Sequence, residues 1–265
     1  MRLIVIAPRG KMGLLITRLA HADPRFELVA GIGPKGRAYI GRDLGVVAGL
    51  GEGIGVSISD DLASVIDGCD AIIDFSIRET SMQVLKLAVE HKKALVCGTT
   101  GFNAEERAAF AKAAEVIPVM LAANTSKLVN CMNKLLEICA KTLADEADIE
   151  IIEMHDRDKL DAPSGTSKEM GHLLAEAMGK EIGDLAVYGR EGSGVRKPGS
   201  IGYHSVRAGS TPSSHIVIFG CAGERLEIAH HSYNWECFAR GALSCALFLE
   251  GKKPGSYSVK DVLGM

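Results

Sequence analysis

The chain has 265 residues, of which 47% are hydrophobic and 24% are charged, the balance of an ordinary globular protein. The formal net charge is −3 and aromatic residues make up only 5%, so the composition argues against a nucleic-acid-binding surface. No apolar run reaches the ~18 residues that a membrane span requires. We therefore expect neither nucleic acid nor membrane as a partner, and small molecules or further copies of the chain instead.

The seven cysteines form no C-x-x-C pair, and most of them lie in apolar runs. The amino terminus also runs directly into a strand-like segment, and together these features favour reduced, buried thiols in a cytoplasmic protein. No group of His, Cys and Asp has the spacing of metal ligands, so we expect no metal site. The adjacent His230 and His231 are interpreted as the end of a strand.

In the first half of the chain, short apolar runs alternate with segments of helical periodicity. The runs predict strands at residues 3–7, 26–32, 71–75, 94–97 and 116–121, and the periodic segments predict helices at residues 12–20, 79–90 and 104–114. Such alternation forms right-handed βαβ units and a parallel sheet, so we expect an α/β Rossmann-type nucleotide-binding domain. The glycine-rich segment from Gly31 to Gly55 is predicted to be an irregular loop that lines the cofactor site.

The pattern changes after Asn124. Helices are predicted at residues 128–143, 164–178 and 236–250, with a strand at 148–153 between the first two. Residues 185–231 are predicted to be mostly strands, including 214–220 and 225–229, with a tight turn at Ala222–Gly223. Consecutive strands with short turns indicate an α+β domain with a mixed sheet. The predicted domains are 1–126 with 237–265 for the dinucleotide, and 127–236 for substrate binding and oligomerisation.

The first predicted strand leads into a glycine-containing turn that is typical of a phosphate site. A strand, a tight turn and a helix start present backbone N–H groups to a pyrophosphate, and Gly13 would allow close helix–strand packing. The candidate cofactor residues in this turn are Ala7, Arg9, Gly10, Lys11, Met12 and Gly13. The first two glycines of G-x-G-x-x-G are replaced here, so an ordinary βα turn remains an alternative.

The end of the second predicted strand bears on the choice of nucleotide. Sites that prefer NAD usually place an acid there for the ribose hydroxyls, but this sequence continues with Lys35 and Arg37. Both cations could neutralise a 2′-phosphate. This pattern favours NADPH over NADH, and charges exposed to solvent on a loop are the alternative.

The densest group of reactive side chains lies between Glu153 and Thr166. His155 is the nearby group able to titrate near neutral pH, so it suits a general acid, and Lys159 adds a positive charge for an anionic substrate. Ser164 and Gly165 open a predicted helix, and Thr166 to Glu169 has the form of a capping box. A helix start of this kind can bind a carboxylate, although a charged, solvated loop is the alternative.

Together these stretches resemble the dihydrodipicolinate reductase family over nearly the whole chain. The most specific match is the E-x-H-x-x-x-K-x-D-A-P-S-G-T stretch from Glu153 to Thr166. Further matches, in the family's order and spacing, are the segments at residues 10–13, 98–102, 206–209, 223–228 and 238–242.

The resemblance implies NAD(P)H-dependent reduction of 4-hydroxy-tetrahydrodipicolinate, or dihydrodipicolinate, in lysine and diaminopimelate biosynthesis. It implies a homotetramer built by the mixed sheet, with the last helix packed on the nucleotide domain. His155 would be the catalytic acid and Lys159 would assist protonation. The other implied site residues are Asp156, Lys159, Ser164, Gly165 and Thr166 for the substrate and Phe75, Gly98, Thr99, Thr100 and Asn124 for the cofactor.

Several positions depart from the family pattern. Asp156 stands where the family has a second histidine, and Trp235 stands where an arginine is expected. A loop that usually carries an aromatic residue and a glycine has Thr125, Lys127 and Leu128, and Ser213–Ser214 replaces Gly–Glu.

The negative charge of Asp156 leaves three alternatives. Asp156 pairs with Arg157 or turns outward, Lys127 offsets it, or the substrate carries less negative charge. A same-fold reductase of another cyclic imine or oxo-acid therefore remains open. So does a non-catalytic nucleotide-binding paralogue, although retention of His155 and Lys159 favours an enzyme.

Overall fold

Two sheets organise the chain in a computed structural model, which describes all 265 residues. The strands are β1 Arg2–Ile6, β2 Glu27–Ile32, β3 Ile58–Ser59, β4 Ala71–Asp74, β5 Ala94–Cys97, β6 Pro118–Leu121, β7 Asp148–His155, β8 Ala186–Tyr188, β9 Ile201–Arg207, β10 Ser213–Cys221, β11 Glu224–Ser232 and β12 Gly255–Tyr257. The helices are α1 Lys11–His21, α2 Leu44–Ala48, α3 Arg78–Glu90, α4 Ala104–Ala113, α5 Lys127–Leu143, α6 Gly165–Ala177, α7 Ile182–Leu185, α8 Glu236–Leu249 and α9 Val259–Leu263. The chain divides into two compact units, residues 1–127 with 235–265 and residues 128–234.

The first unit contains a seven-stranded sheet in the order β12-β6-β5-β4-β1-β2-β3. Every pairing in it is parallel. The strands β4 and β5 are buried along their whole length, because helices cover both faces of a parallel sheet. Leu3 and Val5 pack on the face with α1 and α8, whereas Ile4 and Ile6 pack on the face with α3 and α4. This architecture confirms the Rossmann-type sheet.

The glycine-rich segment is more ordered than the sequence predicts. The expectation of an irregular loop is wrong at residues 44–48, which form α2. Asp43 caps this helix, since its carboxylate accepts the backbone N–H groups of Gly45, Val46, Ile54 and Gly55. One side chain therefore holds the segment together. The short elements β3, β12 and α9 are also absent from the sequence prediction.

The second unit contains a five-stranded sheet in the order β11-β10-β7-β9-β8. The β10 strand pairs antiparallel with β7 and β11, and the β9 strand pairs parallel with β7 and β8, which confirms a mixed sheet. Side chains of α5 and α6, such as Leu136 and Leu174, pack against Ile151 and Val217 of the sheet. The β7 strand continues two residues beyond the predicted end, so His155 belongs to the strand.

All seven cysteines are free thiols. Cys69, Cys97 and Cys245 are buried, but Cys131 is exposed and the other three are partly exposed, so the expectation of buried thiols is wrong for four of them. No helix has the length and apolar character needed to cross a membrane.

Candidate active site

In the first unit, the turn between β1 and α1 brings backbone amides to the end of the central strand. Gly10 is the N-cap of α1 and no side chain caps this helix. A Cβ at Gly13 would lie 2.1 Å from the Ala7 carbonyl oxygen, so only glycine fits there. Ala7 itself has a φ of 53°, in the left-handed region that sharp turns use. The first-turn N–H groups of α1 can therefore face an anion.

A cavity of about 740 Å³ lies at the carboxyl ends of the strands in this unit. Four of the predicted cofactor residues line it: Ala7, Lys35, Arg37 and Phe75. Arg9 lies outside the lining, with its guanidinium 5.6 Å from the Tyr39 ring centroid. Asp60 and Asp61 also line the cavity and were missed by sequence reasoning. Their loop follows β3, which is only two residues long and leaves no clear periodic signal.

The segment after β5 lies at the same edge of the sheet. Gly98 donates its N–H to the Asp74 carbonyl at 2.8 Å, and a Cβ at Gly98 would lie 2.1 Å from the Phe75 ring. Thr99 is buried and accepts a hydrogen bond from Ser81 at 2.9 Å. Thr100 is exposed.

Two further residues of this unit were singled out by the sequence. Asn124 accepts the backbone N–H of Ser126 at 2.9 Å. Trp235, which precedes α8, has the ammonium of Lys11 lying 4.4 Å from its ring centroid.

In the second unit, β7 carries the central pair of reactive side chains. Glu153 and His155 continue the buried face of Ile149 and Ile151, since alternate residues of a strand share a face. Nδ1 of His155 lies 2.5 Å from Oε2 of Glu153. Nε2 of His155 has no hydrogen-bond partner in the chain and is not fully buried. The imidazole is thus held at one nitrogen and accessible at the other.

Arg207 and His215 complete this cluster, although sequence reasoning did not assign them. Two nitrogens of Arg207 donate to the two carboxylate oxygens of Glu153, both at 2.8 Å. Burial alone would raise the pKa of Glu153, but hydrogen bonds from His155 and Arg207 lower it below its ordinary value. Burial and the neighbouring His155 lower the pKa of His215 to about 3, so this imidazole is neutral near pH 7.

The signal that could have located His215 is the alternation in β10. His215 shares the fully buried face of Val217 and Phe219, where an apolar residue is the usual occupant. A polar residue at such a position is a candidate for a site.

The helix α6 begins beside this cluster. Ser164 is its N-cap, and the Ser164 hydroxyl accepts the backbone N–H of Ser167 at 3.2 Å. The predicted capping box at Thr166 is therefore wrong, because the N-cap of the helix is Ser164, two residues earlier. The N–H of Ser164 donates to Glu153 at 3.2 Å, and Ser164 is 2% exposed. Gly165 is exposed and Thr166 is partly exposed in the first helical turn.

The loop between β7 and α6 carries the remaining predicted residues. Lys159 forms an ion pair with Asp161 at 2.7 Å. The half-buried Asp156 accepts the backbone N–H of Asp158 at 3.0 Å. It forms no ion pair with Arg157, so the predicted pairing is wrong, whereas an outward orientation of Asp156 stays a prediction.

A parallel nucleotide-binding sheet, a glycine-bounded helix start and a separate unit with an accessible imidazole define an oxidoreductase with a nicotinamide cofactor. Family models agree: residues 1–125 match the N-terminal domain of dihydrodipicolinate reductase and residues 129–263 match its C-terminal domain. The chain belongs to the dihydrodipicolinate reductase family.

Known proteins that are similar in sequence or in structure include members of the same family. A 4-hydroxy-tetrahydrodipicolinate reductase of Hahella chejuensis is 43% identical over 265 residues, which cover 100% of this chain and 99% of the relative. The dipicolinate-bound dihydrodipicolinate reductase of Paenisporosarcina sp. TG-14 has a TM-score of 0.78 at 25% identity and covers 97% of each chain. An amine dehydrogenase of Mycobacterium smegmatis, with a TM-score of 0.63 at 14% identity over 98% of this chain and 95% of that one, shares the fold alone.

Proposed function

We propose that the chain reduces 4-hydroxy-tetrahydrodipicolinate, or the dihydrodipicolinate derived from it, to tetrahydrodipicolinate in lysine and diaminopimelate biosynthesis. The observation that carries the proposal is His155, whose Nδ1 is held by Glu153 while Nε2 stays accessible. This imidazole lies beside the start of α6, where Gly165 and Thr166 are in the first helical turn and carry backbone N–H groups that can bind an anion. A proton donor next to a carboxylate-binding helix start matches a cyclic imine that carries carboxylates.

In this proposal His155 is the catalytic acid, and Nε2 delivers the proton to the ring. Lys159 supplies positive charge for the substrate carboxylate and assists protonation, and its ion pair with Asp161 holds it near the start of α6. Gly165 and Thr166 contact the carboxylate through backbone amides. Ser164 contributes by capping the helix, because its hydroxyl and its N–H are engaged with Ser167 and Glu153.

The first unit fits a nicotinamide dinucleotide. The turn before α1 has no room for a Cβ at Gly13, and α1 has no side-chain cap, so its first N–H groups can face a pyrophosphate. The bound nicotinamide supplies the hydride that reduces the imine. Residues of the first turn, from Ala7 to Gly13, would bind the pyrophosphate, and Gly98, Thr99, Thr100, Phe75 and Asn124 would bind the nicotinamide and its ribose. Residues 1–126 with 237–265 are the nucleotide domain of this proposal, and residues 127–236 the substrate and oligomer domain.

The preferred nucleotide in this proposal is NADPH, with NADH as the less favoured donor. Lys35 and Arg37 both line the large cavity, as cations for a 2′-phosphate must. Asp60 and Asp61 line the same cavity, and their carboxylates could serve the ribose hydroxyls of NADH instead.

We also propose a cytoplasmic homotetramer. The seven free thiols support a reducing compartment. The mixed sheet of the second unit leaves Leu226 44% exposed and Val206 37% exposed, and burying such side chains is favourable in an interface between copies. Light scattering after size-exclusion chromatography measures the mass of the assembly directly.

The proposed function is tested by following nicotinamide oxidation while the substrate is made in situ from pyruvate and aspartate semialdehyde. NADPH and NADH are supplied separately. Rapid turnover supports the lysine-pathway reaction, and the ratio of the two rates gives the cofactor preference. If the nucleotide binds and no turnover follows, the proposal is overturned. Less anionic cyclic imines, which the charge of Asp156 would favour, are then the next substrates to test.

A further inference from the structure

Arg207 donates hydrogen bonds to the Glu153 carboxylate through both of its terminal nitrogens. Nη1 reaches Oε2 and Nη2 reaches Oε1, each at 2.8 Å, and Nη2 also donates to the Asp161 carbonyl at 2.5 Å. The side chain of Glu153 is 1% exposed and that of Arg207 is 18% exposed. A bidentate pair of this kind fixes the plane of the carboxylate as well as its position.

The fixed carboxylate determines which nitrogen of His155 carries hydrogen. The guanidinium of Arg207 is always charged, and its contact keeps Glu153 ionised. An ionised carboxylate only accepts hydrogen bonds, so Nδ1 of His155, 2.5 Å away, must be the donor. The proton available for transfer is then the one on Nε2, and after transfer the ring keeps its Nδ1 proton.

The strand register explains how Arg207 reaches this pair. His155 and Arg207 are directly opposite each other on the parallel strands β7 and β9, and the long side chain of Arg207 extends back by two register positions to Glu153. Arg207 has no hydrogen bond to His155. Its hydrogen bonds can therefore orient the imidazole only through Glu153.

We propose that Glu153 and Arg207 are positioning residues that hold His155 with Nδ1 protonated and Nε2 directed at the reacting ring. This inference rests on the proposed function for its kinetic consequence. A second titratable group packed against His155 is His215, with ring centroids 5.3 Å apart. Because His215 is neutral, it cannot replace the charge of Glu153.

The test compares Arg207→Gln and Arg207→Lys with Arg196→Gln as the matched control. Arg196 is a similarly buried arginine of the same unit, with a side chain 16% exposed and paired to Glu150. We expect Arg207→Gln to lower kcat by about tenfold to a hundredfold, as small misplacements of reacting groups do, with KM changed by less than about twofold. Arg207→Lys should retain an intermediate kcat, because an ammonium cannot form the bidentate contact. Arg196→Gln should keep the full kcat even where thermal unfolding shows an equal loss of stability.

Glu153→Gln adds a readout that a purely structural role would not change. Removing the negative charge beside His155 disfavours its protonated form, so the alkaline limb of the kcat profile should move to lower pH. An unmoved limb, or an equal loss of kcat in Arg196→Gln, overturns the inference.

A second measurement does not depend on turnover. Nitrogen-15 NMR of histidine-labelled protein reports which ring nitrogen of His155 is protonated. At a pH where the ring is neutral, we expect the Nδ1–H tautomer alone in the native protein and a mixture of tautomers in Arg207→Gln, or in Arg207→Lys if the glutamine variant does not fold. Identical spectra in native and variant proteins refute the positioning role, whereas failure of the proposed reaction leaves this readout unchanged.

Discussion

His215 lies edge-on to His155, with ring centroids 5.3 Å apart and an angle of 76° between the ring planes. Its two nitrogens face the hydroxyls of Ser164 at 3.3 Å and Ser213 at 3.4 Å. The register places His215 directly opposite Glu153 on β7. One imidazole is therefore kept neutral by its surroundings, while its neighbour is paired with a carboxylate. Environment, rather than residue type, separates their roles.

The buried His215 makes stability depend on pH. Its pKa in the folded protein is about 3, against an ordinary value of 6.5, because of burial and the neighbouring His155. Glu153 opposes this shift, and His230 and Lys159 add to it. Between these two pKa values the unfolded chain binds more protons than the folded protein, so the free energy of unfolding falls as the pH falls through this window. We expect a loss of about 1.4 kcal/mol per pH unit from this group below pH 6.5.

Urea unfolding between about pH 6.5 and pH 5 measures this slope. Glu153, with a lowered pKa, loses its stabilising contribution only below its ordinary value of 4.5, outside that range. His230 has a pKa lowered by burial and adds a slope of the same sign. His215→Gln should therefore flatten most of the dependence, whereas His172→Gln, at an exposed position on α6, should leave it unchanged. Equal slopes for all three proteins would contradict the assignment to His215.

Substitution of the proposed acid tests its role directly. His155→Gln removes the titratable group and keeps a side chain that can bond to Glu153. If Nε2 supplies the proton, kcat should fall by about 10²-fold to 10⁴-fold with little change in cofactor affinity. A rate near that of the native enzyme would exclude His155 as the acid.

The charge of Asp156 can be removed without disturbing its turn. Asp156→Asn keeps an oxygen for the Asp158 N–H and deletes the negative charge. Two unit charges ~4 Å apart repel by about 1 kcal/mol in water and more in a less polar site, so KM for the dicarboxylate should fall by about fivefold or more. Asp158→Asn, which makes the same charge change at an exposed position, is the control. An unchanged or raised KM in Asp156→Asn would mean that Asp156 lies outside the pocket or forms a useful pairing.

Much of the first unit was predictable because its strands are buried on both faces. Runs such as Leu3 to Ile6 and Ala71 to Ile73 are apolar at every position, which is the pattern of a parallel sheet covered by helices. The helix α2 has five residues, one of which is Gly45, and its N-cap Asp43 is fixed by hydrogen bonds from the more distant Ile54 and Gly55. Such a short element has too few residues for periodicity and depends on contacts that a local pattern does not contain.

In the second unit, the candidate active site was predictable only along β7 and the loop after it. His155, Lys159 and Ser164 lie within a single short stretch, where residue types suggest chemistry. Arg207 is 54 residues from Glu153, and β-sheet register brings them together. Register depends on the pairing of distant strands, so periodicity within β9 could not reveal the contact.

Nucleotide preference is testable at Lys35 and Arg37, the two cations that line the cavity of the first unit. Replacing both Lys35 and Arg37 with alanine should raise KM for NADPH by about tenfold or more, since charge-assisted bonds to a phosphate contribute about 1.5–3 kcal/mol each. KM for NADH, which lacks the 2′-phosphate, should change by less than about twofold. Arg42→Ala removes an exposed cation from the same segment and should leave both constants unchanged. Equal increases for the two nucleotides would show that the pair does not recognise the 2′-phosphate.

The contact between Lys11 and Trp235 provides an optical test of the phosphate site. Lys11 is the first residue of α1, and its ammonium lies 4.4 Å from the indole centroid. Trp235 is the one tryptophan in the chain, so intrinsic emission reports on this place. A pyrophosphate at the start of α1 should draw the ammonium away from the ring, because a phosphate attracts a cation more strongly than an aromatic face does. NADP⁺ lacks the absorption band of the reduced nicotinamide, so it does not absorb the light that tryptophan emits. It should therefore produce a saturable change in emission, and Lys11→Met should abolish most of that change.

Lys252→Met is the matched control, because Lys252 stacks over Phe248 at 4.3 Å in the same unit. If calorimetry detects NADP⁺ binding while the emission of the native protein stays constant, Lys11 does not contact the phosphates, and the first turn of α1 is not where the pyrophosphate binds.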